Sequence, residues 1–186
     1  MVLPNESSFV IGNAGLVLMS PYLPRLWAVL GLADENSFKD LAASTRAAHL
    51  LDYLVFGDAR PPVPTSALNR VLCGLPPTAH AGGPFNASTA EMKEINGLLA
   101  AMISHWRALG TTSASGLRQT FLQREAQLTH LGDRWALKVS PRAFDVLLNG
   151  LPWGFSVCKY NWMRDPLYVE WGQRHNSWPH HAAWFS

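Results

Sequence analysis

Thirteen prolines and fourteen glycines are spread through 186 residues, and their spacing limits every helix the chain can form. Proline in a helix interior removes a hydrogen bond and clashes with the preceding turn, and glycine weakens a helix through its backbone freedom. The longest run free of both is Leu32 to Phe56, which is worth about 38 Å as a continuous helix. The chain must therefore fold as many short elements around a core and not as a rod. Its length and 48% hydrophobic content suit one ordinary domain with a substantial interior and leave too little for two.

Within those limits hydrophobic spacing assigns the elements. An apolar stretch, Ala14 to Met19, precedes Pro21-Tyr22-Leu23-Pro24, which opens a short helix through Leu26, Trp27 and Leu30 that stops at Gly31. Ala47, Leu50, Leu51, Leu54 and Val55 recur at helical spacing in a helix from about Phe38 to Phe56 that ends at Gly57. Arg60 to Pro64 forms a stiff connector, then a short helix carries Leu68, Val71, Leu72 and Leu75 and closes at Pro76-Pro77. Thr78 to Pro84 is a Gly/Pro loop. Ser88 and Glu91 have capping-box spacing, and Met92, Ile95, Leu99, Met102, Trp106 and Leu109 follow in steps of three and four up to Gly110. That seam is either a core face or a zipper against another chain, and Gly97 within it either weakens the helix or admits a neighbouring backbone. A shorter helix runs through Leu117, Phe121 and Leu122.

The period then changes to two. Trp135, Leu137 and Val139 alternate with Arg134, Lys138 and Ser140 after Gly132-Asp133, so Gln127 to Val139 reads as a β-hairpin. Pro141 opens one or two further helical turns through Phe144, Leu147 and Leu148 that end at Gly150. Phe155 to Tyr160 and Leu167 to Trp171 read as short strands. The expected class is α+β, a mainly helical body with a small antiparallel sheet built from the C-terminal part. Residues 1–171 form a single globular domain, and 172–186 a Trp/His-rich tail without a clear period.

Composition and motif content exclude several function classes. Fifteen basic against thirteen acidic residues lack the basic excess that drives backbone contacts to nucleic acid. No apolar run approaches the ~20 residues needed to cross a bilayer, and no signal-peptide pattern opens the chain, so it is read as cytosolic where it is made. Cys73 and Cys158 sit among apolar neighbours and are expected to be reduced, structural thiols with no cofactor role. The sequons at Asn5 and Asn86 are taken as coincidental.

There is no phosphate-cradling glycine loop, CxxC pair, HExxH or GxSxG elbow. His175, His180 and His181 match no standard metal spacing, and no cysteine or acidic residue in the tail completes a tetrahedral set. A metal-dependent enzyme using that tail ranks last. His105 reads as a partly exposed helix histidine. Glu91 with Glu94, and Asp34 with Glu35, read as helix-start carboxylates rather than acid/base pairs. The chain is expected to be no enzyme, with no cofactor and no metal.

Between Asn149 and Trp171 lie three tryptophans, two tyrosines, a phenylalanine and two prolines. Base stacking would need interleaved cations, and only Lys159 and Arg164 are present there. Aromatics of strands are mostly core, and those left at the surface make good protein anchors. Trp106, Trp153, Trp162 and Trp171 are the candidate partner-interface residues, the positions where core and interface compete.

Six segments in this order resemble the C-terminal domain of the tape-measure proteins of bacterial contractile injection systems, the phage-tail-like particles. They are NAGLVLMSPYLPRLWAVLGL from Asn13, AAHLLDYLVFG from Ala47, LNRVLCGLP from Leu68, HWRALGTTSASGLRQTFLQREAQL from His105, WALKV from Trp135, and FDVLLNGLPWGFSVCKYNWMRDPLYVEW from Phe144. The tail lies beyond the pattern.

The resemblance implies a non-enzymatic part of a contractile machine, occupying the lumen of the inner tube, setting its length and anchored near the hub and spike of the baseplate. It implies hub, spike and inner-tube proteins as partners, a homo-oligomer because those partners are rings, and residence in the bacterial cytoplasm during assembly and in the particle thereafter. Even a fully helical chain of this length would span only roughly 280 Å. By itself this chain is expected to be an anchor and not a ruler, either joined natively to a longer measuring region or working as a short assembly component. The competing expectation is a soluble assembly chaperone or adaptor that is absent from the mature machine.

Overall fold

The structure, a computed structural model, describes residues 7–57, 67–79 and 85–172. The connector Arg60 to Pro64, most of the loop ending at Pro84, the Asn5 sequon and the tail histidines lie outside the described residues.

The chain enters through strand β1 (Ser8–Ile11) and passes into a 3-10 segment, Ala14–Met19, in which all six residues are buried. Gly15 makes that burial sterically feasible. A Cβ there would stand 1.8 Å from the Phe121 carbonyl oxygen and 2.4 Å from Leu122 Cα, so only glycine lets these two backbones touch. Helix α1 (Leu23–Val29) has Pro in its first turn, where no hydrogen bond is lost, and is followed by Gly31 at φ 67°.

Helix α2 (Leu41–Phe56) begins three residues later than periodicity suggested, because Asp40 is its N-cap and accepts the Ala43 amide at 2.7 Å. Phe38 instead lies in an isolated bridge with Ala33, its ring 6.2 Å from Trp27 and 5.0 Å from Trp162. Helix α3 (Ala67–Leu72) ends before the expected Pro76-Pro77 stop, with Gly74 at φ 72° after it.

Helix α4 (Thr89–His105) carries the expected capping box: Ser88 Oγ accepts the Glu91 amide at 3.2 Å, and Glu91 accepts the Ser88 amide at 2.7 Å. Ile95, Leu99, Met102, Trp106 and Leu109 are all buried, so the seam is a core face of its own chain. Among the described residues nothing comes within 4 Å of a Cβ built on Gly97, so none of their backbone uses that gap. The α-helix ends at Trp106 and the run continues as a 3-10 turn, Arg107–Leu109. Helix α5 (Ala114–Leu117) passes into a π-turn, Arg118–Leu122.

The class is α+β as expected, but the sheet differs from the expected one in two respects. It has five strands in the order β1-β2-β3-β5-β4, with β2 Ala126–His130, β3 Trp135–Val139, β4 Val157–Cys158 and β5 Leu167–Trp171. It is mixed, because β3 and β5 run parallel, Trp135 opposite Leu167 and Val139 opposite Trp171. It is also not purely C-terminal: β1 pairs antiparallel with β2, Ile11 opposite Ala126. Parallel neighbours need a crossover, and here the 3-10 segment Ala143–Gly150 and the aromatic stretch supply it. That crossover occupies much of the segment expected to be strand, leaving only Val157–Cys158 of Phe155 to Tyr160 in the sheet. The buried apolar residues of sheet and helices form one continuous core.

Candidate functional site

The crossover between β3 and β5 carries Phe144, Trp153, Phe155, Tyr160 and Trp162, and it lies across the ends of earlier elements. The last carbonyls of a helix have no partner within it and must find donors elsewhere. The aromatic side chains supply some of those donors. Trp162 Nε1–H donates to the carbonyl of Leu72, the last residue of α3, at 2.9 Å. Trp153 Nε1–H donates to the Leu18 carbonyl at 2.9 Å, and Tyr160 O–H to the Ser20 carbonyl at 2.8 Å, both at the end of the first 3-10 segment. In the reverse direction, Trp106 Nε1–H donates to the Leu147 carbonyl of the crossover at 3.1 Å. None of the carbonyls at the end of the first 3-10 segment has a basic side chain in its last turn to turn to.

This is a function sequence reasoning missed. Composition shows tryptophan's area, whereas in the fold its polar handle ties segments up to 135 positions apart. A hint was present for the first 3-10 segment, whose last turn has no lysine or arginine, but not for α3, whose last turn carries Arg70.

The four candidate tryptophans divide by burial. Trp106 is fully buried and Trp171 is 6% exposed, both inside the chain's own core. Trp153 and Trp162 are half-buried and pack against that core. Tyr22 meets Trp153 edge-on with centroids 5.2 Å apart, and its hydroxyl is 2.7 Å from His105 Nδ1. Tyr160 stacks on Trp162 at 5.1 Å. Two aromatic clusters, Tyr22–Trp153–His105 and Phe38–Trp162–Tyr160, therefore reach the surface.

The core also holds a buried ion pair. Arg124 is fully buried; its Nη1 donates to Asp145 Oδ1 at 2.6 Å, and its Nη2 to Asp145 Oδ2 at 3.1 Å and to the Ser140 carbonyl at 2.7 Å. Its guanidinium lies 5.0 Å from the centre of the Trp171 ring. Burial pushes the Asp145 carboxyl up, but the Arg124 hydrogen bonds and the Arg142 amide outweigh it and hold the carboxyl below its ordinary value. Neither residue stood out in the sequence, where a buried arginine reads like any surface one. Glu91 is similar: burial pushes it up, and the Arg46 pair at 2.5 Å and the Ser88 bonds bring it below the ordinary value.

The chemistry-bearing candidates are engaged in structure. Glu91 serves the cap of α4 and the tie to Arg46 on α2. Asp34 accepts the Asn36 and Ser37 amides of its own turn. Cys73 and Cys158 are free, buried thiols; burial pushes Cys73 far up and Cys158 up to about 11. Among the described residues no three His, Cys, Asp or Glu side chains are grouped to hold a metal ion. No helix among them is long and apolar enough to cross a membrane.

The fold and its aromatic belt define a structural class, an α+β body whose conspicuous side chains join segments and present aromatic surface. Residues 3–171 match the family described as contractile injection system tape measure protein, and the chain belongs to that family. It is thereby a tape-measure-type structural component of a contractile injection system. No curated protein and no solved structure shows a significant match.

Proposed function

We propose that the chain is the anchoring module of a tape-measure protein, seated in the tube lumen against hub and spike at the baseplate, from where it serves tube assembly and length determination. One observation supports anchoring over measuring. The longest described helix, α4, has 17 residues, about 26 Å, and both ends of the described chain are strands of one sheet. A fold closed on itself in this way holds position and does not extend.

Residues 1–171 act as one unit and 172–186 as an appendage to it. Trp153 and Trp162 supply contact surface to the partner, and Trp106 and Trp171 shape that surface from beneath. The module carries out no catalysis and assembles as a ring-matched homo-oligomer.

The test is the light-scattering mass of the purified chain, alone and with the cognate hub protein. A discrete oligomer or a stable hub complex is the expected result. A monomer indifferent to hub and tube proteins, and missing from mature particles, would overturn the reading in favour of a soluble assembly chaperone. Trp153→Ala and Trp162→Ala give up the bonds to the Leu18 and Leu72 carbonyls and should also weaken hub binding, measured on variants shown to be folded, by about 2 kcal/mol or more. Trp106→Ala, fully inside the core, should cost about 3–5 kcal/mol of folding stability.

A further inference from the structure

Strand β1 stands at the end of the sheet, and its pairing fixes where its main-chain groups point. In an antiparallel pair, residues that exchange both main-chain bonds with the neighbour alternate with residues that exchange none. The His130 amide donates to the Ser7 carbonyl at 2.9 Å, and the register sets Phe9 opposite Leu128 and Ile11 opposite Ala126. Ser7, Phe9 and Ile11 therefore turn their main-chain groups toward β2, and Ser8 and Val10 turn theirs away from it. Val10 is 90% exposed, so among the described residues this edge is open. Such an edge templates another strand, and proteins ordinarily blunt it with a charge, a proline or a bulge. β1 reads Ser-Phe-Val-Ile, with neither charge nor proline, and runs in unbroken register along β2.

The outward groups also define what fits them. The N–H and C=O of Ser8 and of Val10 repeat at the spacing of a strand, so their complement is the main chain of another strand. They match their own image. Turned about a two-fold axis at Phe9, Ser8 of one copy meets Val10 of the other, and the two pairs exchange main-chain bonds. Phe9 then stands opposite its own copy in a non-hydrogen-bonded pair, where side chains approach most closely. Phe9 is partly buried on the core side, its ring 6.4 Å from Trp135, so the two phenylalanines carry the core face across the junction. A two-fold contact sets each residue near its own copy, and residues 7–11 hold no charge to repel across it. We infer that β1 pairs antiparallel with the β1 of a second copy of this chain, joining two sheets into one. A seam this short makes a reversible dimer. The inference goes beyond the anchoring role and does not depend on it.

Light scattering of the full chain over a concentration series, with amide hydrogen exchange at its upper end, tests this. The expected result is a mass that rises to twice that of the chain, with the Ser8 and Val10 amides protected as those of Phe9 and Ile11 are. Val10→Pro removes an N–H that β2 does not use, so dimerisation should weaken about tenfold or more while far-UV circular dichroism stays unchanged. Val10→Lys keeps that amide, guards the edge with a charge and should weaken the dimer too, which covers the case of a proline variant that does not fold. A chain that stays monomeric throughout would overturn the inference; if its Ser8 and Val10 amides were nevertheless protected, the edge would belong to the chain's own residues outside the described ones. A dimer in which those two amides exchange freely, or one equally tight in the folded variants, would also overturn it and put the interface elsewhere.

Discussion

Two glycines separate close packing from open space at the scale of single residues. Gly15→Ala drives a methyl into the Phe121 carbonyl, whose backbone cannot step aside, so the variant should lose at least about 1–3 kcal/mol in urea unfolding. Gly97→Ala meets nothing within 4 Å on an exposed turn of α4 and should gain about 0.5–1 kcal/mol. Neither sign was legible in the sequence, which offered both readings for Gly97. The Arg124–Asp145 pair gives a pH-dependent prediction. Asp145→Asn leaves Arg124 buried without its counter-charge, which should cost about 3–5 kcal/mol near neutral pH. Because the folded Asp145 value is depressed, the unfolded chain binds the proton first as pH falls. The pair's contribution is therefore complete above the ordinary aspartate value of about 3.9 and disappears as pH drops through the lower folded value. The gap between parent and variant urea midpoints should stay level from neutrality to about pH 4 and close below it.

The clearest agreement between sequence and structure, at the scale of elements, is α4. Its cap is a local chemical fact: Ser88 and Glu91 satisfy two amides of the first turn wherever the helix packs. Ser88→Ala should cost about 0.5–2 kcal/mol, measurable by thermal unfolding. Asp40 works in the same way for α2, yet periodicity alone set that start too early, because Phe38 is apolar and fits the helical stripe while belonging to the aromatic cluster with Trp27 and Trp162. The hairpin β2–β3 was legible in its alternation and turn residues. β1 was not, since a four-residue edge strand has too few positions to show a period, and its pairing lies about as far along the chain as Ser8 from Thr129.

For the whole molecule, one core encloses both thiols, and their reactivity reports its integrity. Cys73 and Cys158 should resist a thiol reagent at neutral pH in native buffer and react fully in denaturant, because burial disfavours the thiolate that does the chemistry. Fast native labelling of Cys73 would show a core less closed than the one described. The sequence by itself determined the short-element architecture, the caps, the hairpin and the family, because each rests on residues near one another or on an ordered series of motifs. Tertiary structure alone decided the parallel pairing of β3 with β5, the burial of Arg124, and which tryptophans stay partly exposed. Those depend on contacts between positions far apart in the chain, where a side chain's polar handle finds its partner only once the crossover lies over the ends of α3 and the first 3-10 segment.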